Sequence, residues 1–177
     1  MKRSAMTGTR IYFAYGSNLW PPRLKARTPS ARILGPAVLP RNRLAWHKHG
    51  ADDSGKCDIV FTDKERHEVH GALYEIDIAD WHHLDVAEEL GTGYSAETVH
   101  VSANGRRIEA HTYRALVTNL QLKPFDWYKS LVIHGARAHG LPAGYVGQLE
   151  QASHWPDPDA ERVRLNRRLL DAPASPD

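Results

Sequence analysis

The sequence predicts an α+β fold, in which strands curl into a small mixed β-sheet or barrel and helices flank it. Strand-like segments fill most of the first two thirds of the 177-residue chain, and a single helical segment stands among them. Three helical segments follow, and this order is typical of α+β proteins. Asn104-Gly105 stands between two segments of alternating hydrophobicity, which is the strongest short signal for a β-hairpin.

The strands are predicted from β-branched and aromatic runs that end at turn residues. Ile11 to Tyr15 is such a run, and it stops at a glycine. Residues 31–50 contain several prolines, and we expect strands at a sheet edge there, because proline cannot donate to a β-ladder. Residues 57–62 and 69–76 indicate two more strands, and the charged residues 63–68 between them indicate a hairpin loop.

Helices are predicted from apolar residues at helical spacing. Ile78, Trp81 and Leu84 have this spacing in the segment that begins at Asp77, and the glycines that follow would end the helix. Three further helices are expected over residues 124–140, 141–152 and 157–170.

The chain contains no internal repeat or linker, and its length fits one domain. We therefore expect a single domain over residues 11–171. A flexible lead over residues 1–10 and a disordered tail over residues 172–177 would flank it.

Composition excludes several classes of function. Lys and Arg number 23 and Asp and Glu 21, so the net charge of +2 gives no argument for binding nucleic acid or an anionic membrane. No apolar run approaches the roughly 20 residues of a membrane span, and the basic start lacks the apolar core of a signal peptide. Cys57 is the only cysteine, so no internal disulfide can form. We expect a soluble cytoplasmic protein.

The polar residues that follow the first strand form the first candidate site. Gly16 lets a ligand approach the backbone closely, and Ser17 and Asn18 add side-chain donors and acceptors. Such a turn can bind a carboxylate or another anionic oxygen. An ordinary turn in which Asn18 caps the next segment is the commoner alternative.

A second candidate lies at the end of the first helix. Asp85, Glu88 and Glu89 come just before a glycine-rich loop. A carboxylate there faces the negative end of the helix dipole, and partial burial would make it a better proton acceptor. A solvated acidic helix end is the alternative.

No metal or other cofactor is expected. The paired histidines match no strong zinc motif, and a lone cysteine adds little. We interpret Cys57 as a small buried residue and not as a nucleophile, since no Cys-His signature surrounds it. Neither GxGxxG nor GxxxxGK[ST] occurs, so a dinucleotide site or P-loop is not supported.

The order of motifs resembles the gamma-glutamylcyclotransferase family. "YFAYGSNL" is followed by "ARTPSA", and "VHGALYEI" precedes "LDVAEE" and "GTGY". "HTYRALVTN" and the late segment "WYKSLVIHGARAHGLPAGYVGQL" continue the similarity, which spans about residues 11–152.

This resemblance implies a small mixed β-barrel flanked by helices and a cofactor-independent reaction. γ-Glutamyl-amino acids would be cleaved to 5-oxoproline and a free amino acid, with Glu88 as the general acid/base. A small γ-glutamyl molecule would be the substrate, and family members are often homodimers. The implied substrate-binding residues are Tyr12, Phe13, Ala14, Tyr15, Gly16, Ser17, Asn18, Tyr94 and Tyr128.

One position departs from the family pattern, which usually has glycine directly after the catalytic glutamate. That place is Glu89 here. Spacing from Leu84 and Asp85 favours Glu88 as the acid/base, whereas spacing from Tyr94 is less decisive, so Glu89 stays an alternative. Two other functions also stay open. One is an enzyme on the same scaffold that removes a γ-glutamyl group from a specialised amine or a biosynthetic intermediate. The other is a non-catalytic module that binds a small ligand.

Overall fold

The computed structural model of the chain describes residues 8–174. A 3-10 turn, Ser17–Leu19, follows the first strand. Most of the expected lead and half of the expected tail lie outside the described residues. The helices and strands in chain order are β1 (Thr9–Ala14), α1 (Pro21–Arg27), β2 (Arg32–Pro40), β3 (Asn42–His49), β4 (Gly55–Phe61), β5 (Glu68–Asp77), α2 (Ile78–Ala87), β6 (Tyr94–Ala103), β7 (Arg106–Ala115), α3 (Asp126–Ala138), α4 (Ala143–Gln151) and α5 (Ala160–Leu170).

Five strands form a closed barrel in the order β1-β5-β2-β6-β7. Neighbouring strands are antiparallel, except that β1 and β7 pair in parallel, Tyr12 opposite His111, and so close the barrel. Closure leaves no free edge among these five strands. The predicted small mixed barrel with flanking helices is thereby confirmed.

Strands β3 and β4 pair with each other in a separate two-stranded sheet. The prediction of a hairpin loop over residues 63–68 is therefore wrong, because β4 and β5 belong to different sheets and do not pair. That segment carries the chain from the small sheet into the barrel. Local composition identified both strands, but it could not show which strands they pair with.

The predicted edge position is also wrong for β2, which lies between β5 and β6 in the barrel. Pro36 is tolerated there because it follows a bulge between Ile33 and Gly35, and Pro40 is the last residue of the strand. Pairing between β2 and β6 is confined to Val38 and Ser102. The edge of β2 that faces β6 therefore needs few backbone N–H donors, and prolines can be accommodated.

The hairpin predicted around Asn104-Gly105 is confirmed. Strands β6 and β7 pair in an unbroken antiparallel register that ends at Ala103 opposite Arg106. Asn104 has φ 49° and Gly105 has φ 72°, the left-handed pair that a tight two-residue hairpin turn requires.

Helix α2 buries the apolar face that the sequence indicated. Leu84 is fully buried and Trp81 is nearly so. The helix ends at Ala87, so Glu88 and Glu89 follow it and are not part of it. Among residues 8–174, no helix is both long enough and apolar enough to cross a membrane.

A buried carboxylate anchors the start of α5 to the start of α3. Both oxygens of Asp157 accept hydrogen bonds from Arg162 at 2.6 Å, and Trp127 Nε1 donates to Oδ2 at 2.7 Å. The Asp157 side chain is fully enclosed. The bonds from Arg162 lower the pKa of Asp157 from 3.8 to about 2. The ionised form is therefore favoured in the folded state.

We expect this pair to make stability fall at acidic pH. Because the folded pKa of Asp157 lies below the unfolded one, the stabilisation is complete above about pH 4 and is lost as pH falls toward 2. The loss is about 2 kcal/mol. Urea denaturation at several pH values would measure it. Asp157→Asn should lose correspondingly less unfolding free energy than the wild type over this pH range. Identical pH profiles of stability for the two proteins would show that Asp157 is not the group responsible.

Candidate active site

Segments that are far apart in sequence meet at a small cavity beside the C-terminal end of β1, which we call the inner cavity. The 3-10 turn, the residue after α2, and residues from β4, β6, β7 and α3 contribute to its wall. The cavity has a volume of about 20 Å³, enough for one or two atoms of a ligand. Its lining residues are Tyr12, Tyr15, Gly16, Ser17, Asn18, Cys57, Glu88, Tyr94, Tyr113 and Tyr128.

Glu88 is held in this inner cavity by two donors. It lies one turn after the buried Leu84, and its backbone N–H donates to Leu84 O at 2.9 Å. Asn18 Nδ2 donates to Glu88 Oε1 at 2.8 Å, and Arg27 Nη1 donates to the same oxygen at 3.1 Å. Arg27 also donates to Asn18 Oδ1 at 2.8 Å. The carboxylate orientation is thus fixed through Oε1.

The other oxygen of Glu88 is free. Among the described residues, no donor forms a hydrogen bond to Oε2. The side chain is 14% exposed, so a ligand can reach it although most of the group is buried. This combination suits a carboxylate that exchanges a proton with a bound molecule.

Glu89 occupies a different environment. Its carboxylate accepts a hydrogen bond from the buried Lys48 Nζ at 2.7 Å, and its side chain is 44% exposed. The backbone of Glu89 has φ 50°, a left-handed conformation that favours glycine. Glycine, which the resemblance implies at this place, would adopt this conformation without strain. Of the two carboxylates, only Glu88 lines the inner cavity.

Five tyrosines surround Glu88: Tyr12, Tyr15, Tyr94, Tyr113 and Tyr128. Burial raises the pKa of each tyrosine well above its usual range, so all five carry neutral hydroxyls at physiological pH. The cavity therefore combines one carboxylate with neutral hydroxyls. Those of Tyr15, Tyr94 and Tyr113 already donate within the protein, which leaves the protons of Tyr12 and Tyr128 for a ligand.

Two of these hydroxyls hold the backbone of Cys57. Tyr94 Oη donates to Cys57 O at 2.8 Å, and Cys57 N donates to Tyr128 Oη at 3.0 Å. Burial also raises the pKa of the Cys57 thiol, which keeps it neutral and poorly nucleophilic. Its role here is to pack, in agreement with the sequence-based interpretation.

A side chain at position 16 would be crowded by its neighbours. A Cβ at Gly16 would lie 3.1 Å from Cys57 Cβ and 3.3 Å from Tyr128 Oη. Its φ of −110° is open to other residues, so its backbone angle is not the constraint. The missing side chain brings the turn backbone close to the cavity.

The structure brings together most of the predicted substrate-binding residues, but not Phe13 and Ala14. Both are fully buried in the core and do not line the cavity. Phe13 O accepts a hydrogen bond from Thr112 Oγ1, and Ala14 pairs with Ala72 in the barrel. Side chains alternate along a strand, which turns Phe13 to the side opposite Tyr12, whereas the small side chain of Ala14 shares the side of Tyr12 without lining the cavity.

A larger cavity of about 230 Å³ adjoins the inner one. Ser17, Glu88, Tyr94 and Tyr128 line both spaces. A molecule that places its reacting atoms beside Glu88 can therefore extend outward into this outer cavity. Within residues 8–174, no three His, Cys, Asp or Glu side chains are grouped to hold a metal ion.

Comparison with known proteins places this site in a family. A model of the AIG2-like family matches residues 68–149. The gamma-glutamylcyclotransferase of Homo sapiens is 31% identical over 147 residues, which cover 79% of this chain and 77% of the human protein. The chain belongs to the gamma-glutamylcyclotransferase family. The Mus musculus protein of the same name is 31% identical over 149 residues, which cover 80% of this chain and 78% of the mouse protein.

Solved structures show the gamma-glutamylcyclotransferase fold independently. A structure of a gamma-glutamyl cyclotransferase matches with a TM-score of 0.81 at 24% identity, covering 91% of this chain and 99% of that chain. A crystal structure of an uncharacterized protein from Homo sapiens matches with a TM-score of 0.79 at 25% identity, and the match covers 90% of this chain and 98% of that chain. The resemblance expected from the motifs is confirmed, and the relatives support an enzyme with cyclotransferase function.

Three residues of this gamma-glutamylcyclotransferase family site were missed by the sequence-based site prediction. Arg27 is the arginine of "ARTPSA" and Tyr113 is the tyrosine of "HTYRAL", so both lie in motifs that carried the resemblance. Cys57 has no comparable signal. Tyr113 Oη donates to Asp85 Oδ1 at 2.6 Å. Asp85, the remaining carboxylate of the acidic cluster, therefore holds the Tyr113 hydroxyl in place.

Proposed function

We propose that this chain converts γ-glutamyl-amino acids to 5-oxoproline and a free amino acid, with Glu88 as the general acid/base. One observation carries the proposal. A single carboxylate, oriented through Oε1 by Asn18 and Arg27, keeps Oε2 free beside a turn that can bind an oxyanion.

The first step moves a proton to Glu88. The α-amine of the γ-glutamyl group is largely protonated at neutral pH, so it must lose a proton before it can attack. This proton goes to solvent. The nitrogen lone pair then forms a bond to the γ-carbonyl carbon and closes a five-membered ring, while Glu88 Oε2 takes one of the two protons that remain on the nitrogen.

The oxygen of the attacked carbonyl becomes negatively charged and needs donors. The 3-10 turn at Ser17 begins directly after Gly16, and the first backbone N–H groups of such a turn have no partner within it. Donors placed in advance at a developing charge stabilise the transition state. The neutral hydroxyl of Tyr128, whose oxygen accepts a hydrogen bond from Cys57 N, adds a further donor to the same wall.

The second step returns the proton. The bond between the γ-carbon and the leaving nitrogen breaks as the carbonyl re-forms, and protonated Glu88 donates its proton to that nitrogen. The ring nitrogen keeps one proton, and the released amine regains from solvent the proton that the substrate gave up before attack. Bonds and protons therefore balance without an oxidant. Holding the two ends of one substrate together can supply up to roughly 7–11 kcal/mol of the acceleration.

The turn residues and the tyrosines have separate roles in this proposal. Gly16, Ser17 and Asn18 hold the γ-glutamyl end, and Asn18 also orients Glu88. The remaining wall, from Tyr12, Tyr15, Tyr94 and Tyr128, excludes water, which strengthens the electrostatic interactions inside the cavity.

Release of 5-oxoproline tests this proposal. Wild-type protein should form 5-oxoproline from at least one member of a panel of γ-glutamyl-amino acids that includes glutathione. Formation from a γ-glutamyl-amine alone would favour the same-scaffold enzyme for a specialised amine. Binding of the panel without product would favour the non-catalytic module, and either result would overturn the proposal.

We also propose a setting for the reaction. We place the protein in the cytoplasm and in glutathione metabolism, by analogy with the family. The exposed apolar side chains of Leu116, Val117 and Leu120 after β7 support a second copy of the chain as a partner. The balanced charge argues against nucleic acid or membrane partners.

A further inference from the structure

The outer cavity has more positive than negative side chains. Its wall contains four cations and three carboxylates, although the inner cavity that it adjoins is mostly neutral. Three of the cations have a carboxylate partner: Arg27 with Glu88 at 3.1 Å, Lys48 with Glu89 at 2.7 Å and Lys56 with Asp52 at 2.7 Å.

Arg23 is the fourth cation, and among the described residues no carboxylate lies within 4.0 Å of it. Its Nε donates to Ser17 Oγ at 2.9 Å, and its Nη1 donates to Asn166 Oδ1 at 3.3 Å. Both acceptors are neutral. No acceptor in residues 8–174 bonds to Nη2, so the guanidinium keeps donors for another molecule.

The position of Arg23 on α1 makes its unpaired positive charge unfavourable when no ligand is bound. Arg23 and Arg27 are four residues apart, so they share one helix face, where like charges repel. Burial, together with the charge of Arg27, lowers the pKa of Arg23 to about 10, which still leaves it protonated at neutral pH. A bound anion would compensate this charge.

Ser17 links this cation to the reaction. It lines both cavities and accepts the bond from Arg23 Nε. A substrate whose reacting carbonyl lies beside Glu88 would direct its leaving group outward, past Ser17, toward Arg23. The space of about 230 Å³ is sufficient for a small amino acid.

We infer that Arg23 binds the carboxylate of the leaving amino acid and so selects γ-glutamyl-amino acids over γ-glutamyl-amines. The inference rests on the proposed function. A planar guanidinium with free N–H groups is the side chain best suited to bind a carboxylate with two parallel hydrogen bonds.

Two other roles for Arg23 would give different results when Arg23 is replaced. It could only join α1 to α5 through Asn166, or it could bind the α-carboxylate of the γ-glutamyl group, which every substrate carries. In both cases a change at Arg23 would affect all γ-glutamyl substrates equally. Only contact with the leaving group makes the effect depend on the leaving amine.

The test compares γ-glutamyl-alanine with γ-glutamyl-ethylamide, which lacks only the leaving carboxylate. Wild-type kcat/KM should favour γ-glutamyl-alanine by roughly 10- to 100-fold, the range expected for a hydrogen-bonded charge pair. Arg23→Gln should reduce this ratio to within about threefold, and Arg23→Lys should restore part of it. The ratio does not depend on how much of a variant is folded. Lys25→Gln removes a charge from the same helix outside the cavity, and it should keep the wild-type ratio.

The outcomes separate the inference from the proposed function. Equal loss on both substrates in Arg23→Gln would overturn the inference and leave the cyclotransferase reaction intact. A wild-type ratio near one would overturn it without any variant, even if Arg23→Gln does not fold. Absence of 5-oxoproline from both substrates with wild type would overturn the proposed function and, with it, the inference.

Discussion

Glu88→Gln is expected to lower kcat for 5-oxoproline formation by about 100- to 10,000-fold, the usual contribution of a general acid/base. Glutamine has nearly the same shape as glutamate, and its amide oxygen can still accept the hydrogen bonds from Asn18 and Arg27. It cannot take a proton from the attacking amine. Substrate binding and the unfolding midpoint should therefore change far less than kcat.

Glu89→Gln is the matched control for this experiment. Glu89 is the adjacent residue with the same charge, but its carboxylate pairs with Lys48. We expect this variant to keep kcat within about threefold, since it removes no proton acceptor from the inner cavity. It should lose some stability, because the buried Lys48 would lose its charged partner. Wild-type turnover by Glu88→Gln, or an equal loss in both variants, would show that Glu88 is not the acid/base.

Gly135→Ala is expected to lower the free energy of unfolding by about 1–3 kcal/mol, the usual cost of overpacking. Gly135 lies on α3 where the helix packs against the 3-10 turn. An added Cβ would lie 2.4 Å from Leu19 C and Cβ and 2.5 Å from Trp20 N. Backbone atoms would have to move, since no side-chain rotation could relieve these contacts.

The same substitution should also lower kcat/KM, because the displaced turn carries Ser17 and Asn18. Gly147→Ala is its control, since it makes the same change in α4, where nothing lies within 4 Å of the new Cβ. Replacing a glycine inside a helix should raise stability by about 0.5–1 kcal/mol. Urea denaturation and steady-state kinetics would measure both effects. Unchanged stability in Gly135→Ala would show that the close approach of α3 and the turn is not required.

The features that the sequence predicted correctly are those with local causes. Asn104-Gly105 determines its hairpin because two consecutive left-handed residues strongly favour one turn. Trp81 and Leu84 determine the buried face of α2 because helical spacing puts them on one side. The residue types of Gly16, Ser17 and Asn18 likewise indicated a turn before any strand pairing was known, and the structure has a 3-10 turn there.

The features that needed the structure depend on contacts between distant segments. The partners of β4 and β5 could not be predicted, because strand pairing depends on closure of the whole barrel. The different environments of Glu88 and Glu89 could not be predicted, because the hydrogen bond to Glu88 comes from Asn18, some 70 residues earlier in the chain. Phe13 and Ala14 belong to the motif but face the core.

The sequence was sufficient for the fold class and the main helices, because each follows from propensity and periodicity over a few residues. The hydrogen bonds to Glu88 Oε1 and the pairing of charges in the outer cavity could be seen only in the folded chain, because they join segments that are distant in sequence. Arg23 shows the reason most directly. An arginine in a short helix has no local signal for a role, and its proposed role rests on the absence, among the described residues, of a carboxylate close enough to pair with it.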